Sequence, residues 1–165
     1  MQRGFATLEI ILVMFIIALL MSVAVPNAAR IVDRAALDYE TKRLYSDLRF
    51  LQAINKSGTF DAVGTGHTEL EVDAAPYMQI TPAKFSTQIL RGNVPIREAH
   101  YMQNIKRIDL TGNVSNKITF STTGQVANFS GNALSGNITL TSRLGKKSAI
   151  VFDSVGRIRG GRVDE

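Results

Sequence analysis

The stretch that decides the fold runs from Gly4 to Pro26 and reads GFATLEIILVMFIIALLMSVAVP. Between Phe5 and Val25 it contains a single ionisable side chain, Glu9. As an α-helix rising about 1.5 Å per residue, this segment would cover about 31 Å, close to the thickness of the hydrocarbon layer of a bilayer. Its length and composition therefore predict a membrane-spanning helix over residues 5–25.

Glu9 lowers the tendency of this segment to insert but does not cancel it. The Phe, Leu, Ile and Val side chains each favour insertion by about 0.3 to 0.6 kcal/mol, whereas a charge at the membrane centre costs about 2.5 to 3.5 kcal/mol. Glu9 lies only about 6 Å along the axis from Phe5, so its carboxyl can reach toward the interface. A carboxylate within a membrane span is nevertheless a candidate functional group.

Two simpler interpretations account for less of the stretch. A secretory signal peptide has an apolar region of about 7 to 15 residues followed by a small-residue cleavage site. The run in this chain is longer, and Glu9 interrupts it. An ordinary single-span anchor would explain the apolar residues, but it gives no reason for a carboxylate placed just behind a Gly-Phe junction.

The front of the chain resembles the N-terminal signature of type IV prepilins and type II secretion pseudopilins, through Gly4, Phe5, Thr7, Leu8, Glu9, the apolar run and Pro26. The resemblance implies that residues 1–4 are a leader, which a prepilin peptidase removes before the new Phe5 amine is methylated. It also implies storage in inner-membrane lipid, then assembly with other pilins or pseudopilins into a helical filament by an inner-membrane platform. The family usually shows Thr-Leu-Ile-Glu; here the Thr is shifted by one residue and the acid keeps its place.

The resemblance gives Glu9 a role in filament assembly. Once the span leaves lipid and packs among neighbouring helices, an acid without a partner is costly, and the freed Phe5 amine of a neighbour is a candidate partner. A buried pair of this kind sets the axial register more than it adds stability. We therefore expect Glu9 to be needed for assembly and not for insertion.

Composition limits the chemistry of the remaining chain. The protein has 165 residues, no cysteine and a net charge of +5, so disulfides and thiolate metal sites are excluded and an anionic partner is favoured. The short leader carries Arg3, which predicts a cytoplasmic N-terminus, a single pass, and a C-terminal domain outside the cytoplasm.

Residues 26–57 have the pattern of an amphipathic helix. Apolar residues recur at intervals of three, four or seven, at Ile31, Ala35, Leu37, Leu44, Leu48, Leu51 and Ile54. Asp38 with Lys42 and Arg43 with Asp47 are expected to form ion pairs on the outer face. Pro26 is expected to bend the helix where the span ends, and Gly58 is expected to end it. A solvated coiled-coil stalk is the alternative, although the repeat is not a strict heptad.

Residues 58–165 have the texture of an antiparallel β-meander, with short alternating runs between Gly, Asn, Ser and Pro. Strands are predicted near Glu69–Val72, Tyr77–Ile80, Phe85–Leu90, Ile105–Leu110, Lys117–Phe120, Gln125–Phe129, Asn137–Thr141, Ala149–Phe152 and Arg157–Arg159. Two hairpins are expected to turn at Thr123-Gly124 and near Ser154-Val155-Gly156. The predicted fold class is α+β, with one long N-terminal helix packed on an antiparallel β-sheet or β-sandwich-like domain.

The C-terminal part resembles the GspH/FimT family of minor pilins and pseudopilins over roughly residues 30 to 160. The matching segments are Ile118-Thr-Phe120, Gly124, Ile138-Thr-Leu140, Val151-Phe-Asp and Gly156-Arg157-Ile158-Arg159. The resemblance implies a type IV pilin-like fold and a low-copy subunit near a filament tip or initiation complex, serving protein secretion or pilus assembly.

Catalytic motifs are missing from the sequence. It contains two histidines, His67 and His100, and no HExxH, GxSxG, Walker or GxGxxG spacing. His100 with Glu98 would supply only two ligands to a metal. We therefore expect neither an enzyme nor a bound metal or cofactor.

A basic cluster near the C-terminus gives the alternative function. It contains Arg143, Lys146, Lys147, Arg157, Arg159 and Arg162, against Asp153 alone. In DNA-uptake members of the family a Gly-Arg-x-Arg tail carries DNA binding, and residues 156–159 match it. Few aromatic residues lie nearby, so binding to double-stranded DNA would be through phosphates and salt-dependent. The same ending is frequent in secretion-type relatives, and the competing interpretation is a solvated edge strand whose charges discourage aggregation. An adhesin whose Gly, Ser and Asn loops touch a surface is a further alternative.

Overall fold

The computed structural model describes residues 3–57, 75–127 and 133–160, with side chains from Leu8 onward. The chain begins with one continuous helix, α1, Arg3–Ser57, which is about 80 Å long at the usual rise per residue. It ends directly before Gly58, the predicted terminator, which itself lies outside the described residues. The predicted span and the predicted amphipathic segment are therefore two halves of one rod.

The two halves of α1 differ in burial. Every large apolar side chain from Leu8 to Val25 is exposed, whereas Leu37, Leu44, Leu48 and Leu51 of the second half are fully buried. The predicted apolar stripe is shorter than expected, because Ile31 is 69% exposed and Ala35 is also exposed, while Ile54 is half-buried. The β-domain first touches α1 at Asp33, which accepts the Ser142 hydroxyl, and it buries the helix face only from Leu37 onward, so Ile31 and Ala35 stay exposed.

Nine strands follow within the described ranges, with a short 3-10 helix at Pro82–Lys84. They are β1 Tyr77–Thr81, β2 Ser86–Arg91, β3 Val94–Tyr101, β4 Ile105–Asn113, β5 Lys117–Phe120, β6 Val126–Ala127, β7 Ser135–Ser142, β8 Lys147–Phe152 and β9 Ile158–Arg159. Eight of the nine predicted strands correspond to observed ones, namely β1, β2 and β4 to β9. The strand predicted at Glu69–Val72 lies outside the described residues.

The strands form two antiparallel sheets, so the α+β prediction is confirmed. One sheet has the order β3-β2-β1-β5-β6 and the other β4-β7-β8-β9. The simple meander is wrong: β4 leaves the first sheet to pair with β7, while β5 returns to pair with β1. Both predicted hairpins, β5 with β6 and β8 with β9, are present.

β3 is the strand that the sequence analysis missed. Its sequence VPIREAHY contains Pro95, and most of its side chains are exposed, so it lacks the alternation of a half-buried strand. It lies at the edge of its sheet, where a proline removes no internal ladder hydrogen bond.

The core lies between the second half of α1 and the two sheets. The four buried leucines of α1 meet large apolar side chains from both sheets, among them Met78, Ile118, Phe120, Ile138 and Ile150. Two buried amides of α1 also bind the sheets. Gln52 donates to the carbonyls of Gly124 and Gly156, at 3.1 and 2.8 Å, and Asn55 donates to the carbonyl of Phe120 at 2.9 Å. The far end of α1 is thus held by hydrogen bonds to turns of both sheets.

Candidate functional site

The predicted processing and assembly residues lie at the start of α1. Gly4 and Phe5 fall inside the helix, although their side chains lie outside the description. Glu9 is exposed, one turn further along. Among the described residues, α1 is the one helix long and apolar enough to cross a membrane, with a mean hydropathy of 2.9 in its most apolar window and none of that window buried.

Pro26 lies inside α1, where the apolar half ends. A proline has no backbone N–H, so the carbonyl one turn earlier, at Ser22, loses its usual helical donor. The Ser22 hydroxyl donates to the carbonyl of Leu19 at 2.7 Å, so this polar side chain is satisfied within the apolar half. The helix continues on both sides of Pro26.

The structure places five of the six basic residues of the predicted cluster, in two groups at opposite ends of β8. Arg143, Lys146 and Lys147 lie on or beside the turn that joins β7 to β8. Arg157 and Arg159 lie after the turn that follows β8, where Arg159 pairs with Val151. β8 has 6 residues, which separates its ends by about 17 Å. Arg162 lies outside the described residues.

The two groups also lie at different heights along α1. Next to the first group, the Ser142 hydroxyl donates to Asp33 at 2.5 Å. Next to the second, Arg49 donates to the carbonyl of Ile158 at 3.2 Å. Asp33 and Arg49 are 16 residues apart, or about 24 Å along the helix. The first group is therefore on the side of the apolar half, and the second is at the far end.

The Gly-Arg-x-Arg segment has two buried residues, Gly156 and Ile158, and two exposed arginines. Gly156 has a φ of +91°, and a Cβ there would lie 1.8 Å from the carbonyl oxygen of Gly124, so the turns of two sheets touch at this glycine. Ile158 is buried in the core. Arg157 and Arg159 flank it and are exposed, as the alternation of a strand requires.

Asp153 is held by Arg157 within this turn. One carboxylate oxygen accepts the Arg157 backbone N–H at 2.9 Å, and the other accepts its Nε at 2.8 Å. The backbone hydrogen bond is the main reason why the pKa of Asp153 is lowered, and the guanidinium adds to it. Arg159 has no ion pair within the described part of the chain, so it is the more available cation of the two.

Sequence reasoning missed two acids on the buried face of α1, Glu40 and Asp47. His100 Nε2 lies 2.5 Å from a Glu40 carboxylate oxygen, and both side chains are buried. Asp47 is buried and binds Arg97, so the predicted pair of Arg43 with Asp47 on an outer face is wrong. The pair of Asp38 with Lys42 is confirmed at 2.7 Å. The missed signal is spacing, since Glu40 and Asp47 fall within the same repeat as the buried leucines.

No cluster of metal-ligand side chains occurs in the described ranges: no group of three or more His, Asp or Glu residues could hold an ion. His100 is engaged by Glu40, and His67 lies outside those ranges. Two open grooves in the described part of the chain are lined by exposed basic residues, Lys84, Lys106 and Arg143 in one and Arg30, Arg34 and Lys146 in the other. These surfaces suit contact with anions.

Comparison of the chain with protein-family models, with curated proteins and with solved structures gave no significant match.

Proposed function

We propose that the protein is a non-enzymatic minor pilin or pseudopilin, a membrane-held subunit that assembles into a type II secretion pseudopilus or a type IV pilus. The observation that carries the proposal is the division of α1. Every large apolar side chain from Leu8 to Val25 is exposed, whereas four leucines of its second half are buried against a β-domain. A free-standing soluble protein rarely exposes so large an apolar surface, whereas lipid or neighbouring helices would cover it.

In this proposal the leader Met1 to Gly4 is removed in the inner membrane by a prepilin peptidase, and the Phe5 amine is methylated. Glu9, on the surface of the apolar half, then faces a neighbouring subunit in the filament and pairs with its Phe5 amine. Leaving one partner of a buried pair alone costs about 3 to 5 kcal/mol, so subunits out of register are rejected. GspH/FimT-like membership is part of the same proposal and draws on the residues of the β-domain quoted above.

Substitution of Glu9 tests the proposal. We expect Glu9→Ala to insert into membranes as the native chain does, and to be lost from sheared or purified filaments. Ser22→Ala is the matched control: it removes another polar group of the apolar half, but one already satisfied by Leu19. N-terminal sequencing of the membrane-bound protein should begin at Phe5. Normal incorporation of Glu9→Ala, or a mature chain that keeps Met1, would contradict the proposal.

DNA uptake is the second candidate function, favoured by the exposure of Arg157 and Arg159 at the end of the domain far from the apolar half. This end is free to meet a duplex outside the membrane. Binding would be through phosphates, so affinity should fall steeply with salt.

The DNA candidate is tested by titrating the full chain in detergent with double-stranded DNA at two salt concentrations. Arg159→Ala should weaken binding more than Arg157→Ala, because Asp153 already holds Arg157. Lys146→Ala is the control at the opposite end. Absence of binding at low salt, or equal binding by all variants, would rule this candidate out.

A further inference from the structure

The β7–β8 turn, residues 143–146, is fixed against α1 just beyond the apolar half. Asp33 holds it with both carboxylate oxygens: one accepts the Ser142 hydroxyl at 2.5 Å, and the other accepts the Leu144 backbone N–H at 3.4 Å. Within the turn, the Lys146 N–H donates back to the Ser142 hydroxyl at 3.1 Å. The position of the turn on the helix is therefore set by the chain itself.

If α1 spans a bilayer over residues 5–25, this turn lies close to the membrane surface. Asp33 is 8 residues beyond Val25, or about 12 Å along the axis, and any helix tilt shortens that height. The headgroup region occupies about 5 to 8 Å on each side of the hydrocarbon layer. Side chains that point from the turn toward the span thus come within a Debye length of about 8 Å of lipid phosphates.

The side chains on this end of the domain suit an anionic, partly apolar surface. Exposed cations of the described chain at this end include Arg30 on α1, Lys84 and Lys106 on neighbouring segments, and Arg143, Lys146 and Lys147 on or beside the turn. Leu144 at the tip of the turn is 57% exposed, and Ile31 of α1, which lines the same groove, is 69% exposed.

Three acids that the structure describes in this region are already engaged. Asp33 is occupied by the turn, Asp38 pairs with Lys42 at 2.7 Å, and Asp109 pairs with Arg107 at 2.6 Å. Basic side chains next to exposed apolar residues, close to the end of a span, form the composition that binds anionic lipid headgroups.

We propose that the β7–β8 turn, together with Arg30 and Ile31, docks the β-domain onto anionic phospholipid headgroups of the membrane that α1 spans. The inference rests on the membrane span of the proposed function and adds a second contact, one that holds the domain at the bilayer before the subunit enters a filament. Lys146 and Lys147 supply the charge and Leu144 the apolar contact. Each basic residue near an anionic surface should shift the docked population about fivefold.

The native chain has no cysteine, so a single introduced thiol reports on docking. Gln103→Cys is a suitable site, because its side chain is exposed beside the turn while only its backbone carbonyl accepts Arg143, at 3.1 Å. The full-length chain carrying a fluorophore at this thiol is inserted into nanodiscs of phosphatidylcholine with or without phosphatidylglycerol. Quenching by a headgroup-labelled lipid then measures proximity to the surface.

We expect stronger quenching in the anionic nanodiscs, reduced by high salt and by the double substitution Lys146→Gln/Lys147→Gln. The matched control is Arg157→Gln/Arg159→Gln, which removes the same charge at the far end and should leave quenching unchanged. A fluorophore at Ser154→Cys, in the turn after β8, should report no lipid contact.

Three outcomes would contradict docking: equal quenching in both lipids, quenching unaffected by the Lys146→Gln/Lys147→Gln variant, or loss of DNA binding in that variant with quenching unchanged. The last would assign the turn to nucleic acid. A chain that fails to enter nanodiscs at all would contradict the span and the proposed function. Insertion without charge-dependent quenching would contradict docking alone.

Discussion

Acidic side chains on a buried helix face need partners, and β3 supplies them in this protein. Glu40 meets His100, and Asp47 meets Arg97, whose guanidinium also stacks over the Phe50 ring at 4.7 Å. An unpaired buried charge would cost several kcal/mol. β3 is an exposed edge strand whose sequence lacks the alternation of a half-buried strand. These two pairs explain why it is nevertheless held at a defined place beside α1.

Gly156 should be the least replaceable residue of the Gly-Arg-x-Arg segment. A Cβ there would lie 1.8 Å from the Gly124 carbonyl oxygen, whereas at Gly145, with a similar φ of +88°, a Cβ would meet nothing within 4 Å. Both alanine variants bear the strain of a positive φ, about 1 kcal/mol. We expect Gly156→Ala to lower the free energy of unfolding by about 1 to 3 kcal/mol more than Gly145→Ala.

Thermal unfolding of the full chain in detergent, followed by circular dichroism, measures that difference. Because the two variants share the backbone cost, the comparison isolates the contact between the two turns. Equal midpoints for both variants would show that the turns of the two sheets do not need to touch.

Asp153 should make the stability of the fold depend on pH, and it should do so only in acidic solution. Its pKa is lowered in the folded state, chiefly by the Arg157 backbone N–H. A lowered pKa means that the carboxylate stabilises the fold above the ordinary value near 3.8, and that this stabilisation is lost as pH falls through the folded value. The native chain should therefore unfold at a higher temperature than Asp153→Asn at neutral pH, with the difference closing below about pH 3.8.

Arg157→Gln is the control for that series. It keeps the backbone N–H that donates to Asp153. Asp153→Asn made in the Arg157→Gln background should therefore still lower the unfolding temperature at neutral pH by most of the native difference. If the difference in unfolding temperature caused by Asp153→Asn grew as the solution is acidified, the lowered pKa of Asp153 would be contradicted.

At the level of elements, α1 serves two environments with one continuous helix. Its first half exposes every large apolar side chain from Leu8 to Val25, and its second half buries four leucines and two amides. The change occurs where the β7–β8 turn meets Asp33, not at Pro26. Both halves are helical, and they differ in what packs against them: the β-domain covers the second half and leaves the first half exposed.

Leu44 and Ile31 separate the two roles, although they belong to the same apolar repeat. Leu44 is fully buried and Ile31 is 69% exposed. We expect Leu44→Ala to lower the free energy of unfolding of the β-domain by about 2 to 5 kcal/mol, because it leaves a cavity. Ile31→Ala should change it by less than about 0.5 kcal/mol. Chemical denaturation in detergent checks both, and equal effects would mean that the second half of α1 does not dock as described.

At the scale of the whole molecule, the β-domain has two chemically distinct ends along the axis of α1. The end at Asp33 carries basic residues and exposed Leu144, and the end at Gln52 carries the paired turns of Gly124 and Gly156 with Arg157 and Arg159 nearby. About 28 Å of helix separates Asp33 from Gln52. In a subunit whose first half is in lipid or in a filament, the far end lies away from the membrane and is free to meet other molecules.

Topology can be tested through the absence of native cysteines. We expect a thiol introduced by Ser154→Cys to react with a membrane-impermeant maleimide in intact spheroplasts, because the β-domain lies outside the cytoplasm in the proposed orientation. A cytoplasmic cysteine-containing marker is the control and should react only after lysis. Labelling of Ser154→Cys that also requires lysis would reverse the orientation.

Sequence by itself determined the features that depend on local pattern. The apolar length of residues 5–25, the helical repeat to Ser57, both hairpins and most strands follow from side-chain period and turn residues, which act over a few neighbours. The resemblance to the N-terminal signature of type IV prepilins likewise rests on one contiguous segment, Gly4 to Pro26.

Only the tertiary structure decided which distant residues meet. It placed β3 at a sheet edge, moved β4 into the second sheet, gave Glu40 and Asp47 their partners, and separated Lys146 from Arg159 although they are close in the sequence. The physical reason is that strand pairing and the burial of charge are set by contacts across the fold. A β-strand is also extended, so residues that are only a few positions apart in the sequence can lie at opposite ends of a domain.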